Sequence, residues 1–230
     1  MRLLSIIVPL YNEEGNVRNL FEELTSVIDG ANLRAEFVFV DDGSSDNTVA
    51  NLVQIANGDE RVRIIKFRRN FGQTAAMAAG FDFAEGDVVI TLDGDLQNDP
   101  REIPRMLEKL DEGFDLVAGW RRNRKDAAIS RKLPSLIANR IISRTTKVQL
   151  HDYGCTLKAI RADVAKNLPL YGEMHRFIPA LAALQGVSIA ELPVNHRPRV
   201  SGTSKYGISR TFRVMLDLLT VNFFLGYGTR

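Results

Sequence analysis

The sequence lacks the features that mark several classes of protein. Its 230 residues contain one cysteine, Cys155, which excludes an internal disulfide and fits a reducing compartment. The N-terminus has no basic segment followed by a small-residue cleavage site, so no secretory signal is expected. Internal repeats, low-complexity tracts and Ser/Gly linkers are also missing, and a single large domain is therefore expected.

The net charge is only +2, but the two halves of the chain differ in sign. With 45% hydrophobic and 25% charged residues, the composition is that of a soluble globular domain and argues against disorder or a nucleic-acid-binding tail. Residues 1–118 hold 11 Lys+Arg and 22 Asp+Glu, whereas residues 119–230 hold 19 and 6. This pattern favours a cation site in the first half and phosphate sites in the second; the alternative is two solvated faces that neutralise each other.

Strand-like and helix-like segments alternate through residue 95. Apolar runs predict buried strands at 5–10, 36–40, 62–66 and 87–92. Apolar residues at helical spacing predict helices at 13–28, 48–56 and 74–84. The alternation predicts an α/β fold with a parallel sheet and right-handed crossovers. Beyond residue 100 we predict helices at 103–112 and 133–146 and strands at 114–119 and 187–194.

Polar residues follow three of these strands. The clusters are Tyr11-Asn12-Glu13, Asp41-Asp42-Gly43 and Asp93-Gly94-Asp95. Ligands of parallel sheets bind outside the carboxyl ends of the strands, so these clusters predict one binding site. Asp93 to Gln97 supplies two carboxylates and an amide, which suit a hard divalent cation that also binds substrate phosphate. The alternatives are a solvated acidic turn at this position and a helix start at Asp41 to Asp46.

The segments Ile7–Glu13, Asp41–Asp46 and Asp93–Gln97 together resemble the inverting nucleotide-sugar glycosyltransferases of GT-A fold. Within that group the chain is most similar to polyprenyl-phosphate glycosyltransferases, such as dolichyl-phosphate mannose synthases and bacterial undecaprenyl-phosphate glucosyltransferases. The resemblance extends over residues 4–228. It implies a Rossmann-like, mostly parallel sheet flanked by helices, and metal-dependent transfer of one sugar from a nucleotide-diphosphate sugar to a polyprenyl phosphate.

The resemblance also implies roles for residues of the acidic half. The implied nucleotide-binding residues are Pro9, Tyr11, Glu13, Asp41 and Asp93. The implied ligands of Mg²⁺ or Mn²⁺ are Asp95 and Gln97.

In the basic half the resemblance implies contacts with phosphate. The implied acceptor and phosphate contacts are Arg121, Arg131, Ser135, Arg199 and Lys205. Of the two neighbouring arginines, Arg121 is preferred to Arg122 as the one that corresponds to the family's acceptor-phosphate contact. Arg199 and Lys205 lie in a basic loop at 197–205, of the kind that closes over a diphosphate. The alternatives are a basic surface helix around Arg131 and an ordinary solvated loop.

Asp152 is an isolated acidic residue in this basic half. The resemblance makes it the acceptor-side acid, as a base or as an orienting group; the alternative is an Asx turn before Gly154. Because a lipid phosphate is already anionic at neutral pH, positioning and leaving-group stabilisation should provide most of the acceleration. The expected catalytic residues are Asp95, Asp152, Arg121 and Arg131. Glu173 to Arg176 stands where processive relatives carry Gln-x-x-Arg-Trp, so a polymer-making synthase is not expected.

Residues 211–230 are interpreted as an amphipathic juxtamembrane segment that follows a glycosyltransferase domain at 1–210. The apolar stretch Phe212–Leu225 contains charged residues, and its 14 residues are fewer than the ~20 that span a bilayer. Its basic, amphipathic character suits an anionic membrane surface; the alternative is a core or oligomer-interface helix. Since the resembled group usually continues into transmembrane helices, we expect the cytoplasmic face of the membrane, which is the inner membrane in bacteria.

Three other functions are compatible with the sequence. The same fold could act on a saccharide or protein hydroxyl, which requires a general base. A non-catalytic, membrane-associated module would bind nucleotide without turnover, and a nucleotidyltransferase would release pyrophosphate. No nucleic-acid partner is expected.

Overall fold

The computed structural model describes residues 2–122 and 149–198. Its strands are β1 Leu3–Leu10, β2 Arg34–Asp41, β3 Val62–Lys66, β4 Val88–Thr91, β5 Leu116–Trp120, β6 Lys158–Arg161 and β7 Ile189–Pro193. Its α-helices are α1 Val17–Gly30, α2 Thr48–Gly58, α3 Gln73–Phe83, α4 Ile103–Asp111, α5 Ala162–Lys166 and α6 Ile178–Leu184. Short 3₁₀ helices span Pro100–Glu102 and Met174–Phe177.

The strands form one mixed sheet in the order β3-β2-β1-β4-β6-β5-β7. Strand pairs β3-β2, β2-β1, β1-β4 and β5-β7 are parallel. Strand β6 runs antiparallel to both β4 and β5. The prediction of an α/β fold with a mostly parallel sheet is therefore confirmed.

Helices cover both faces of the sheet, which is why its central strands are apolar on both sides. Successive residues of a strand point to opposite faces. Ile6 and Val8 of β1 accordingly join the core layer under α1, α2 and α4. Ile7 of β1 and Val38 of β2 join the layer under α3, α5 and α6.

Helix α3 lies unusually close to the sheet. A Cβ atom added at Gly80 would lie 2.3 Å from Cγ2 of Ile7, so only glycine fits at this contact. The alanine-rich sequence of α3 serves the same close packing.

The predicted elements agree well with the structure in the first half of the chain. Strand β3 has the predicted bounds, and most other bounds differ by one or two residues. Helix α1 begins at Val17 instead of Glu13, and the backbone N–H groups of Glu13 and Glu14 donate to side chains of Thr48 and Asp46. Strand β6 and helices α5 and α6 were not predicted.

Two predicted features lie outside the described residues. These are the helix at 133–146 and the segment at 211–230, including the boundary at residue 210. Within 2–122 and 149–198, no helix has the length and apolar character needed to cross a membrane.

Candidate active site

The three polar clusters lie at one edge of the sheet. Strands β2, β1 and β4 are adjacent and parallel, so the loops that follow them emerge side by side. Pro9 lies within β1, opposite Val40 of β2. A Cβ added at Gly94 would lie 2.3 Å from Cδ2 of Leu10, which shows that the turn after β4 packs directly on the end of β1. The structure thus brings the predicted nucleotide- and metal-binding residues to a common edge.

The loops after β1 and β2 are bound to each other through Asn12. Its backbone N–H donates to Oγ of Ser44 at 2.9 Å, and its Oδ1 accepts from the N–H of Ser45 at 2.8 Å. Asn12 has φ of 53°, in the left-handed region that asparagine tolerates better than most residues. This arrangement fixes Tyr11 and Glu13, on either side of Asn12, relative to the second loop.

The second loop carries two buried carboxylates. The carboxylate of Asp41 accepts from the N–H of Ser44, at 3.2 Å from Oδ2. Asp42 accepts from the N–H groups of Phe71 and Gly72 at 2.7 and 2.9 Å. Burial raises the pKa of Asp42, and these two backbone donors only partly oppose that effect. Asp41 and Asp42 are 0% and 4% exposed, so both carboxylates are buried at this edge of the sheet.

The alternative of a helix start holds for Asp46 in the same loop. Its Oδ1 accepts from the backbone N–H and the hydroxyl of Thr48, at 3.0 and 2.6 Å. Thr48 is the first residue of α2. The acidic cluster therefore combines a helix-start residue with two buried carboxylates.

Asp93 is held from two sides. Its Oδ1 accepts from Nε2 of Gln73, the first residue of α3, at 2.7 Å. Its Oδ2 accepts from Oγ1 of Thr156 at 2.6 Å, and its backbone N–H donates to Oδ1 of Asn98 at 2.9 Å. Burial, followed by the negative charge of Asp95, raises the pKa of Asp93, while the Thr156 bond lowers it. Asp93 thus connects the turn after β4 to α3 and to the loop before β6.

Asp95 and Gln97 form a tight turn in which Leu96 has φ of 62°. Oδ1 of Asp95 accepts from the N–H of Gln97 at 3.1 Å. Nε2 of Gln97 donates to the carbonyl of Arg197 at 3.3 Å, so the amide oxygen is the atom left for a ligand.

The donors of this turn fit a hard cation that is shared with a substrate. One carboxylate and one amide oxygen are the hard oxygen ligands that Mg²⁺ and Mn²⁺ accept, and such ions take further oxygens from substrate phosphates and water. Among the residues that the structure describes, no group of three or more His, Cys, Asp or Glu side chains could hold a metal ion by itself. The turn therefore suits a cation bound together with a diphosphate.

After β5, Arg121 and Asp152 form a bidentate ion pair. Nε and Nη2 of Arg121 lie 2.7 and 2.9 Å from Oδ2 and Oδ1 of Asp152. Burial raises the pKa of Asp152, but the hydrogen bonds and charge of Arg121 outweigh burial and hold it below its ordinary value. Oδ1 also accepts from the N–H of Gly154 at 3.1 Å, which is the geometry of an Asx turn. Asp152 thus forms both an ion pair with Arg121 and an Asx turn with Gly154.

Four predicted phosphate-binding residues lie outside the described residues. They are Arg131, Ser135, Arg199 and Lys205.

The structure describes the basic loop at 197–205 only as far as residue 198. Arg197 donates through its backbone N–H to the carbonyl of Gln97 at 2.8 Å. Its side chain pairs with Asp99 at 2.8 Å and with Glu23 at 2.7 Å. The loop therefore begins attached to the turn that carries Asp95 and Gln97.

Several residues that hold the site were not predicted as site residues. Gln73 and Thr156 bind Asp93, and Asp99 and Arg197 link the turn that carries Asp95 and Gln97 to the basic loop. Asp99 could have been predicted as a site residue, because it closely follows the acidic turn in the sequence. Thr156 could not have been predicted. It is 63 positions from its partner Asp93, and nothing in the sequence around it distinguishes it from other threonines.

Comparison with known proteins assigns the chain to a protein family. Residues 5–168 match the family described as Glycosyl transferase family 2. The chain is 50% identical over 231 residues to a dodecaprenyl-phosphate galacturonate synthase of Rhizobium johnstonii, covering 99% of this chain and 68% of that protein. It is 42% identical to an undecaprenyl-phosphate 4-deoxy-4-formamido-L-arabinose transferase of Shewanella sediminis, covering 94% of this chain and 66% of the other. The chain thus spans about two thirds of the length of these relatives.

Solved structures share the fold at low sequence identity. A glucosyl-3-phosphoglycerate synthase of Mycobacterium tuberculosis in complex with uridine diphosphate is 20% identical, with a TM-score of 0.70, covering 96% of this chain and 80% of that one. A mannosyltransferase of Pyrobaculum calidifontis in complex with GDP-Man and Mn²⁺ is 18% identical, with a TM-score of 0.67, covering 96% and 63%. At these identities the likeness concerns the fold.

Proposed function

The chain belongs to glycosyl transferase family 2, and from this premise we propose that it transfers one sugar from a nucleotide-diphosphate sugar to a polyprenyl phosphate, with inversion at the anomeric carbon. It is a glycosyltransferase with the GT-A fold that the sequence predicts. The names of the two relatives described above, both polyprenyl-phosphate sugar transferases, support the acceptor class.

One observation carries the proposal: a single turn, residues 152–156, contacts both halves of the site. Asp152 at its start pairs with Arg121, and Thr156 at its end donates to Asp93. The acidic turn after β4 and the basic residue after β5 are thereby held together. This arrangement would bring an activated sugar diphosphate against an anionic acceptor, which supports the proposal.

On the donor side, the proposed nucleotide-binding residues are Pro9, Tyr11, Glu13, Asp41 and Asp93. Asp95 and Gln97 would hold Mg²⁺ or Mn²⁺ together with the donor diphosphate, and the Mn²⁺ in the mannosyltransferase of the same fold supports this assignment. Such an ion, when bound, stabilises the negative charge that develops on the leaving diphosphate. Asp93 remains fixed by Gln73 and Thr156, so it can orient the nucleotide without moving.

On the acceptor side, Arg121 would bind the lipid phosphate. Its Nε and Nη2 bind Asp152, but a guanidinium has five N–H donors, so others can still point at a phosphate. Arg131, Ser135, Arg199 and Lys205 are proposed to complete the phosphate contacts.

The chemical step needs no general base. A phosphate oxygen attacks the anomeric carbon from the face opposite the diphosphate, and the bond from this carbon to the diphosphate oxygen breaks with its electron pair on the nucleoside diphosphate. The phosphate is already anionic, so no proton must be removed. Asp152, whose pKa is lowered, is a poor base and instead orients Arg121. This favours a phosphate acceptor over a saccharide or protein hydroxyl.

Residues 1–210 are proposed as the catalytic domain and 211–230 as a segment that lies on the cytoplasmic face of the membrane. A polyprenyl acceptor remains in the bilayer, so the catalytic edge must approach the membrane surface. A basic, amphipathic segment would provide that attachment.

The test is a screen of UDP- and GDP-sugars with a short polyprenyl phosphate and Mg²⁺ or Mn²⁺. We expect a glycosyl-phospholipid by mass spectrometry, with release of nucleoside diphosphate. Release of pyrophosphate would indicate a nucleotidyltransferase. Metal-dependent nucleotide binding without turnover would indicate a binding module, and transfer to a hydroxyl acceptor would replace the proposed lipid phosphate.

A further inference from the structure

A lysine is buried beneath the candidate active site. Lys158, the first residue of β6, is only 1% exposed. It lies opposite Thr91 of β4 and Ala118 of β5. Fully buried lysines are rare unless they are paired, and this one has no role in the chemistry proposed above.

The surroundings of Lys158 combine an apolar core layer with the charged groups of Asp152, Arg121 and Asp93. Ile160, two residues further along the same face of β6, belongs to a core layer with Ala118 and Tyr153. Burial lowers the pKa of Lys158, and the charges of Asp152 and Asp93 oppose that effect. An apolar side chain would fill this position at a lower desolvation cost, so the ammonium group must be explained by what it binds.

The ammonium group binds the middle of the turn at 152–156. Nζ of Lys158 donates to the backbone carbonyl of Cys155. Asp152 at the start of the turn pairs with Arg121, and Thr156 at its end donates to Asp93. Lys158 therefore contacts a segment that connects the two halves of the site.

We propose that Lys158 is a positioning residue of the transfer reaction: by holding the Cys155 carbonyl it sets the turn that presents Arg121 to the acceptor and Asp93 to the donor. It touches neither substrate. The role rests on the proposed function, because it assumes that Arg121 and Asp93 serve the two substrates. Loss of the ammonium group should impair the use of both substrates, whereas a change at either end of the turn should mainly impair one.

The variant Lys158→Met tests the proposal, because it keeps the length of the side chain and removes the donor. Its matched control is Ile160→Val, a small change on the same strand and face that leaves the turn alone. In Lys158→Met, we expect amide hydrogen exchange of the peptide at 149–157 to rise about tenfold relative to peptides of β1. We also expect the KM for donor and for acceptor to rise and kcat to fall, each by about tenfold.

The proposal is overturned if Lys158→Met retains wild-type exchange at 149–157 and wild-type kinetic constants, or if Ile160→Val reproduces its defects. If Lys158→Met does not fold, Lys158→Leu, which also removes both the donor and the charge in a shorter side chain, is judged by the same two criteria. Should the wild-type protein transfer no sugar to polyprenyl phosphate, the proposed function fails by itself. The exchange experiment, together with binding of UDP or GDP in the presence of Mn²⁺, still decides whether Lys158 sets the turn.

Discussion

Arg121 and Asp152, 31 positions apart, form a bidentate ion pair with distances of 2.7 and 2.9 Å. The pair is largely buried, with 13% and 16% of the two side chains exposed. Breaking one partner of such a pair leaves an uncompensated charge, so both residues are held to one geometry. The carboxylate of Asp152 is therefore engaged in orienting the guanidinium of Arg121. This distinguishes the proposed reaction from transfer to a hydroxyl group, which requires a general base.

Asp152→Asn should weaken transfer without abolishing it. The amide keeps the shape but loses the charge that holds Arg121, so we expect kcat/KM for the acceptor to fall about tenfold. Steady-state kinetics with varied acceptor measure this, with the exposed Asp163→Asn as the control. A loss of about 10³-fold or more in kcat would mean that Asp152 is a general base.

Asp95→Asn should remove transfer almost completely. An amide is a weaker ligand for a hard cation than a carboxylate, so we expect kcat to fall by about 100-fold or more. Activity is titrated with Mn²⁺ in the variant and in the exposed control Asp82→Asn. For the wild-type protein, chelation should stop transfer and added Mn²⁺ should restore it. Activity that survives exhaustive chelation would contradict the metal assignment.

Thr156→Val should affect the donor more than the acceptor. The substitution keeps the shape of the side chain and removes the hydroxyl that donates to Asp93 at 2.6 Å. We expect the KM for the nucleotide sugar to rise about tenfold while the KM for the acceptor changes little. Thr25→Val, on the outer part of α1, is the control. An equal rise in both KM values would show that the hydroxyl matters to the whole turn.

Asp99 should make stability depend on acid pH. Burial raises its pKa, but hydrogen bonds from Arg101 and Asn195 and the charge of Arg197 outweigh burial and hold the pKa well below its ordinary value of 3.8. The carboxylate therefore stabilises the fold above that value, and the stabilisation is lost as the pH falls toward the folded-state pKa.

Asp99→Asn is expected to lower the free energy of unfolding by roughly 2 kcal/mol at pH 7. In urea titrations this difference should persist to pH 5 and shrink below about pH 4. Asp111→Asn, which breaks an exposed ion pair with Arg2, should cost less than about 1 kcal/mol. A difference that stays constant down to pH 2 would exclude the charge of Asp99 as its origin.

Gly80→Ala should destabilise the domain by about 1–3 kcal/mol, because the new methyl group would overlap Ile7. Gly30→Ala, at the end of α1, meets no atom within 4 Å and is the matched control. Thermal unfolding of the two variants measures the difference. Equal midpoints would mean that α3 can move away from the sheet.

The parallel half of the fold was predictable because its strands are continuous apolar runs that alternate with periodic helices. Because ligands of parallel sheets bind outside the carboxyl ends of the strands, Asp41 and Asp93 were predictable at one edge of the sheet. Strand β6 escaped prediction because its sequence, Lys-Ala-Ile-Arg, is short and charged at both ends. It forms a strand because β4 and β5 provide hydrogen-bonding edges on either side of it. These contacts are tertiary and cannot be read from the local sequence.

The partners of the site residues were less predictable than the residues themselves. A carboxylate after a buried strand is unusual enough to be noticed, whereas the groups that fix it are ordinary. Gln73 and Thr156 hold Asp93 from 20 and 63 positions away, and no local pattern marks them. Lys158 could not be predicted either, because no local pattern marks it and only its burial in the structure makes it unusual.

The reversed direction of β6 has a consequence for how such enzymes can diversify. Since β5 and β6 are antiparallel neighbours, the chain leaves the sheet at Trp120 and returns at Lys158 on the same edge, the one that carries the site. The described residues between these two points, 121–122 and 149–157, add no strand to the sheet. Under the proposed function, the strands that carry the donor residues and the segment proposed to select the acceptor therefore join at two fixed strand ends, so acceptor selectivity could change while the sheet stays the same.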